Sequence, residues 1–166
     1  MASVQLSDVS FGYGERALFS KLTLKLAEGK VTSIIGPNGC GKSSLLKLAS
    51  GICKPWKGSI SVMGRDVSVL SSKERARLLS LLTQEHAAPP MSVRRLVACG
   101  RYPHHGILAT MDAADYEAVE RALEACRLAD LAERPVAELS GGQRQRAFIA
   151  MVLAQDTPVV LFDEPT

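Results

Sequence analysis

The feature that most constrains the fold of this chain is a glycine-rich segment of eight residues, Gly36–Ser43, with the sequence GPNGCGKS. It matches the pattern G-x-x-x-x-G-K-[S/T], in which glycines let backbone N–H groups turn inward around phosphate oxygens. The β-branched run Lys30–Ile35 before it predicts a buried strand, and Ser43–Ser50 after it predicts a helix stopped by Gly51. In that order the positive end of the helix dipole points at the bound anion.

The residue types within the segment divide the chemistry of phosphate binding among them. Lys42 is expected to reach the outer phosphates as a point charge, and the Ser43 hydroxyl is expected to ligate Mg²⁺. A glycine-rich turn with an accidental lysine is the alternative, and the strand and helix predicted on either side argue against it. The candidate phosphate-binding residues are Gly36, Pro37, Asn38, Gly39, Cys40, Gly41, Lys42, Ser43 and Ser44.

A second signal lies at the end of the chain, where the apolar run Val159–Phe162 is followed by two acidic residues, Asp163 and Glu164. A carboxylate at the carboxyl end of a buried parallel strand lies where open α/β sheets bind their ligands. We expect Asp163 to hold Mg²⁺ through water and Glu164 to polarise an attacking water molecule. Alone, the same residues could form a polar turn, and the glycine-rich segment makes that alternative weaker.

The third signal is the sequence LSGGQ at Leu139–Gln143. Ser140 and Gln143 have the spacing of a capping box, which predicts a helix start. Gly141 and Gly142 each cost up to about 1 kcal/mol relative to alanine in a helix, so stability alone does not favour them. They would let an anion approach bare N–H groups at the helix terminus. A capped helix with no ligand is the alternative.

The remaining pattern predicts an α/β fold with two insertions. Alternating apolar residues near the N-terminus, such as Val4, Leu6 and Leu24, favour half-buried antiparallel strands. Further predicted elements are a strand at Gly58–Met63, a helix at Ser71–Ser80 with a Ser71/Glu74 capping box, a strand end at Leu81–Gln84, helices with loops over Ser92–Arg134, a helix at Gly141–Gln155 and a strand at Val159–Phe162.

Taken together, the three motifs resemble those of an ATP-binding cassette (ABC) nucleotide-binding subunit. The resemblance covers the whole chain. Gly36–Ser43 corresponds to the Walker A loop, Leu139–Gln143 to the signature motif, and Val159–Glu164 to the Walker B strand with its glutamate. Tyr13, in FGYGERAL, resembles the aromatic residue that stacks on adenine, and Gln84, in LLTQEH, resembles the Q-loop glutamine.

The resemblance implies a P-loop NTPase (ABC ATPase) core with an N-terminal antiparallel β subdomain and an α-helical insertion. It implies one domain with three parts: residues 1–84 as β subdomain and Walker A core, 85–138 as helical subdomain, and 139–166 as signature helix and Walker B strand. The implied cofactors are ATP and Mg²⁺. The implied nucleotide contacts include Tyr13 and the segment Ser140, Gly141, Gly142 and Gln143, the implied metal ligands are Ser43, Gln84 and Asp163, and the implied catalytic residues are Glu164 and Gln84.

The resemblance also implies a role and a set of partners. Met91–Gly106, MSVRRLVACGRYPHHG, is similar to a stretch in the ATPases of iron–siderophore, haem and cobalamin importers. We therefore expect an ATPase subunit that dimerises on binding ATP, with each site completed by the Ser140–Gln143 segment of a second copy. Transmembrane permease subunits and, indirectly, a periplasmic or surface substrate-binding protein would be its partners. Its place would be peripheral, at the cytoplasmic face of the cell membrane.

Composition and charge bear on the competing functions. The 20 basic and 17 acidic residues give a net charge of +3, too mild to favour a nucleic-acid partner. No apolar run approaches the roughly 18 residues that a spanning helix needs. A soluble ABC-type protein acting on DNA or ribosomes remains an alternative. Such proteins usually carry long coiled coils in the middle of the domain or basic extensions, whereas Gln84 and Ser140 are only 56 positions apart with no heptad block between them. A GTPase is disfavoured because the sequence lacks N-K-x-D.

A second alternative is a truncated nucleotide binder without turnover. The sequence stops at Thr166, directly after Asp-Glu-Pro-Thr, whereas members of the family continue with a D-loop and a strand ending in a switch histidine. We therefore expect the C-terminal part of the core to be missing. The strand that would follow is expected to lie between Lys30–Ile35 and Val159–Phe162, which would otherwise lack a shared neighbour.

Overall fold

The computed structural model describes residues 2–84, 87–105 and 110–163. The chain divides into two compact units, Met1–Leu79 and Ser80–Thr166. In chain order the described elements are β1 (Ala2–Tyr13), β2 (Arg16–Ala27), α1 (Lys42–Ala49), β3 (Lys57–Val62), β4 (Arg65–Asp66), α2 (Ser72–Leu78), β5 (Leu79–Leu82), α3 (Val93–Cys99), α4 (Ala113–Ala125), α5 (Gly141–Ala154) and β6 (Val159–Phe162). Two short 3₁₀ turns, Ala129–Leu131 and Val136–Glu138, lie between α4 and α5.

The first unit is built on a four-stranded sheet in the order β2-β1-β3-β4. The strands β1 and β2 are antiparallel, with Leu6 opposite Leu24 on one side and opposite Ile60 of β3 on the other. Because side chains alternate between the two faces of a strand, Val4 and Leu6 fall on the same face, where both are buried. The predicted N-terminal antiparallel strands are confirmed.

Two helices accompany this sheet, and both form where local signals predict them. The helix α1 begins at Lys42 and buries Leu46 and Leu48, in agreement with the predicted helix. The helix α2 starts with the predicted capping box, in which the Ser71 side chain accepts from the backbone N–H of Glu74 and the Glu74 side chain accepts from that of Ser71. It ends at Leu78, earlier than predicted, because the chain becomes extended at Leu79 and continues as β5.

The predicted buried strand at Lys30–Ile35 is wrong for this structure. These residues belong to no strand, and Val31 and Ile35 are 99% and 93% exposed. The reason is the lack of a pairing neighbour, since the described sheets, β2-β1-β3-β4 and β5-β6, contain no strand that pairs with this segment. A β-branched run favours extended backbone, but a strand also needs hydrogen bonds to a neighbour.

The second unit is a helical cluster next to the two-stranded sheet of β5 and β6. The helices α3, α4 and α5 each contribute fully buried side chains to one core, among them Val93, Val97, Val119, Leu123, Ala147 and Ala150. Gly100 permits close approach of α3 and α5, because a Cβ there would lie 2.2 Å from the Met151 carbonyl oxygen. Among the described helices, none has the length and apolar composition required to span a membrane.

A polar network ties the segment after α3 to α4 and α5. The buried Arg101 guanidinium donates from Nε to Asp115 Oδ1 at 2.8 Å and from Nη1 to the Ala154 carbonyl at 2.8 Å. His105 Nε2 lies 2.9 Å from Asp115 Oδ2, and His104 Nε2 lies 2.7 Å from the Gln155 carbonyl oxygen. These contacts satisfy carbonyl groups at the end of α5 and hold that end against the start of α4.

Candidate functional site

The glycine-rich segment leads directly into α1. Gly39 and Gly41 have φ values of +78° and +103°, a backbone conformation that favours glycine. Gly41 precedes the first residue of the helix, and no side chain caps the first turn. A Cβ at Gly41 would also lie 2.8 Å from the Phe19 ring. The chain therefore presents backbone N–H groups at the start of a helix, where negative charge is stabilised.

Lys42 extends its side chain back over the loop that precedes it. Its ammonium group donates to the carbonyl oxygens of Gly36 at 3.0 Å and Pro37 at 3.1 Å. Ser43, the next residue, is half-buried in the first turn of α1. This arrangement holds a positive charge beside the loop backbone, which suits an anionic ligand with several oxygens.

Tyr13 lies at the end of β1, in the same unit as the glycine-rich segment. Its hydroxyl is 3.0 Å from the hydroxyl of Ser44 in α1. Its ring meets the Phe11 ring edge to face, with centroids 5.1 Å apart, and the residue remains 57% exposed. An exposed aromatic ring anchored to α1 can stack on a planar base. The sequence predicts Tyr13 as a nucleotide contact but does not predict its hydrogen bond to Ser44, because the spacing between the two residues does not indicate a contact.

The predicted helix start at LSGGQ is confirmed. Ser140 Oγ accepts from the Gln143 backbone N–H at 3.3 Å, and Gln143 Oε1 accepts from the Ser140 N–H at 2.9 Å. Among the described residues nothing lies within 4 Å of a Cβ built on Gly141 or Gly142, and neither has a positive φ. Neither crowding nor backbone conformation therefore explains the two glycines.

Two further candidate residues follow neighbouring strands of the second unit. Gln84 comes just after β5 and is exposed, and Asp163 comes just after β6 and is buried. The Asp163 N–H donates to the Leu82 carbonyl at 2.9 Å, so the carboxyl ends of the two strands meet. Glu164, the predicted base, lies outside the described residues.

The donor chemistry of the predicted metal ligands fits Mg²⁺. Ser43 offers a hydroxyl, Gln84 an amide carbonyl and Asp163 a carboxylate, and hard divalent cations prefer such oxygen ligands. Ser43 belongs to the first unit, whereas Gln84 and Asp163 belong to the second. In the described part of the chain, histidine, cysteine and acidic residues form no group of three or more able to hold a metal ion. The adjacent histidines after α3 instead contact the Gln155 carbonyl and Asp115.

Comparison with known proteins places these motifs in a family. The family model described as "ABC transporter" matches residues 19–166. The chain is 46% identical over 167 residues to the "Probable siderophore transport system ATP-binding protein YusV" of Bacillus subtilis (strain 168). It is 44% identical over 167 residues to the "Ferric enterobactin transport ATP-binding protein FepC" of Escherichia coli (strain K12). Both alignments cover 100% of this chain and span 61% and 62% of the length of those relatives.

The fold agrees with this assignment. The structure of cbiO1 from Clostridium perfringens, part of the ABC transporter complex cbiONQ, superimposes with a TM-score of 0.85 at 26% identity, covering 99% of this chain and 66% of that one. The predicted P-loop ABC ATPase fold, with its antiparallel β subdomain and helices, is therefore confirmed. The family model covers the Walker A loop, the signature motif and the Walker B strand in a single match, and the chain belongs to the ABC transporter family.

Proposed function

We propose that this chain is the ATP-binding and ATP-hydrolysing part of an ABC importer, and that its cargo is an iron–siderophore or a related metal chelate. The observation that carries the proposal is the bare glycine pair Gly141–Gly142 at the start of α5, which the packing of the described residues does not require. Because glycine has no side chain, both positions would leave space for phosphate oxygens to reach the N–H groups of that helix terminus.

The residues of the first unit would bind the nucleotide. The N–H groups of Gly36–Ser43 and the ammonium of Lys42 would surround the β- and γ-phosphates, and the exposed Tyr13 ring would stack on adenine. Lys42 would exchange the carbonyl oxygens of Gly36 and Pro37 for phosphate oxygens, which bear more negative charge. Binding would thus draw on groups already gathered around the loop.

The residues after β5 and β6 would serve hydrolysis. Ser43, Gln84 and Asp163 would hold Mg²⁺, which when bound neutralises charge on the β- and γ-phosphates. Glu164 would accept a proton from water aligned with the γ-phosphate, and Gln84 would help to orient that water. Because Asp163 is tied through its N–H to Leu82, the ends of β5 and β6 would move together.

A second copy would complete each site. Ser140–Gln143 of one copy would face the γ-phosphate bound by the other, so that ATP binding draws two copies together and hydrolysis releases them. The division into residues 1–84, 85–138 and 139–166 fits this proposal, with the helical part lying between Gln84 and the signature helix. We propose that this helical part docks on a transmembrane permease at the cytoplasmic face of the membrane, and that a substrate-binding protein delivers the cargo.

The cargo class is proposed from the relatives. The two relatives described above carry names that specify siderophore and ferric enterobactin transport. The segment from Met91 to the two histidines after α3 resembles the same group of importers. An iron chelate is therefore the cargo we propose.

Lys42→Ala tests the nucleotide site. Losing charge-assisted contacts worth roughly 1.5–3 kcal/mol each should weaken Mg-ATP binding at least about tenfold in equilibrium titration. Lys47→Ala, in the last turn of the same helix, is the matched control and should bind ATP as the native protein does. Equal ATP affinity in the Lys42→Ala variant and the native protein would exclude the proposed site.

A further inference from the structure

The hydrogen bond between Tyr13 and Ser44 joins two hydroxyl groups whose oxygens lie 3.0 Å apart, although the residues are 31 positions apart in the chain. Ser44 is in the first turn of α1, directly after Ser43, and is only 8% exposed. Tyr13 ends β1 and is mostly exposed. A buried hydroxyl in the phosphate-loop helix therefore anchors the tip of an exposed ring.

A second contact also holds the Tyr13 ring. The ring packs edge to face on Phe11, with an interplanar angle of 78°, and the Phe11 ring lies 6.4 Å from that of Trp56. Gly12, between the two aromatic residues, leaves room for Trp56, since a Cβ there would lie 2.7 Å from the indole ring. The contact with the Phe11 ring and the hydrogen bond of the hydroxyl group therefore fix the plane of the Tyr13 ring before any ligand binds.

The chemistry of the two hydroxyls allows this bond to persist when a phosphate is bound. A serine hydroxyl has one proton to donate and two lone pairs to accept with. If Tyr13 donates to Ser44, the Ser44 proton stays available for a phosphate oxygen next to α1. The same serine can then contact the ring that stacks on the base and the phosphate chain.

We propose that Ser44 is a positioning residue, which holds the Tyr13 ring at a set place relative to the phosphate loop so that the two bind the base and the phosphates of one nucleotide as a unit. The inference rests on the proposed nucleotide site and adds a reason for tyrosine, rather than phenylalanine, at position 13. An immobilised ring loses less conformational freedom when it stacks, so the bond contributes to affinity for ligands that carry a base.

The test compares Mg-ATP with Mg-tripolyphosphate, which has the phosphates but no base. Tyr13→Phe keeps the ring and removes its hydroxyl, so it should weaken ATP binding about threefold to tenfold and leave tripolyphosphate binding unchanged. The double variant Tyr13→Phe/Ser44→Ala should bind ATP no more weakly than Ser44→Ala alone, since both changes remove the same bond. Tyr116→Phe, at a similarly exposed tyrosine on α4, should not affect either ligand.

Three results would overturn the inference. They are native ATP affinity in Tyr13→Phe, equal weakening of both ligands by that variant, or effects that simply add in the double variant. Equal weakening would mean that the bond only stabilises α1. If the native protein bound neither ATP nor tripolyphosphate, the proposed function itself would fail. If the native protein bound both and Tyr13→Phe bound both equally well, the positioning role alone would be refuted. Thermal melts of all variants confirm that each measurement concerns folded protein.

Discussion

Replacing Asp115 by alanine should destabilise the protein strongly, because it leaves a buried cation without its carboxylate. The side chains of Asp115 and Arg101 are 3% and 10% exposed, and their Oδ1 and Nε atoms are 2.8 Å apart. Breaking a buried ion pair from one side typically costs about 3–5 kcal/mol of unfolding free energy. Arg101 would retain its bond to the Ala154 carbonyl, so we expect the lower end of that range.

The assay is thermal and urea unfolding of purified protein. A loss of about 3 kcal/mol should lower Tm by roughly 6–12 °C for a protein of this size. Glu133→Ala is the matched control, since Glu133 also accepts from an arginine, Arg94, at 2.6 Å, but the side chains are 76% and 39% exposed. That exposed pair should contribute no more than about 1 kcal/mol. Equal losses in the two variants would refute the reasoning from burial.

The stability that the Asp115 carboxylate contributes should decrease at low pH. Burial alone would raise the pKa of Asp115, but the Arg101 hydrogen bond, the Asp112 backbone N–H and the nearby charges of His105 and Arg101 outweigh it, so the pKa lies below its usual 3.8. A carboxylate whose pKa is lower in the folded state stabilises the fold at pH values above its unfolded-state pKa. That stabilisation is lost as the pH falls through the folded-state pKa. The stability difference between native protein and Asp115→Asn should therefore be full at neutral pH and shrink below about pH 4. A difference that stays constant down to pH 3 would contradict this.

Three further predictions concern the helices and the proposed base. In a full-length family member that contains this chain, Glu164→Gln should retain Mg-ATP binding and lose about 10²–10⁴-fold in steady-state turnover, because the proposed base is removed. The ATP-bound dimer should accumulate in gel filtration, and normal turnover would reject the role. Gly100→Ala should cost about 1–3 kcal/mol in urea unfolding, because a Cβ there meets the Met151 carbonyl at 2.2 Å, and an unchanged midpoint would contradict that packing. Gly141→Ala should leave the unfolding free energy unchanged or raise it by up to about 1 kcal/mol, because a Cβ there meets no neighbour. The same variant should lower ATPase activity if a ligand binds at this helix terminus, and full activity would argue against a ligand there.

Elements decided by local signals could be predicted from the sequence. The capping box at Ser140 specifies where α5 begins, because Ser140 and Gln143 satisfy each other's backbone N–H groups within one turn. The strand Val159–Phe162 has the predicted bounds, since an apolar run lies between Pro158 and an acidic pair. In each case residues within a few positions of one another supply the contacts that define the element.

Contacts between distant residues could not be predicted in this way. Arg101 lies in the segment after α3 and pairs with Asp115 of α4, 14 positions away, and Tyr13 contacts Ser44 over 31 positions. Neither pair has a spacing that indicates contact, because the approach depends on how two elements pack. In α4 the Asp115 side chain completes a capping box with Asp112 and also accepts from the buried Arg101, and neither contact was predicted from the sequence.

The two elements that flank the glycine-rich segment, Lys30–Ile35 before it and α1 after it, contribute differently to its geometry. Lys30–Ile35 is extended in pattern but unpaired in the described sheets, and leaving a valine or isoleucine exposed forgoes roughly 1.5–3 kcal/mol of burial each. Gly39 and Gly41 nevertheless have the positive φ values that turn the loop, and α1 begins at Lys42. The turn and the helix are therefore set by the glycines and by the packing of α1. Pairing of Lys30–Ile35 would instead fix where Gly36 lies, and through the Gly36 carbonyl it would bear on where Lys42 holds its charge.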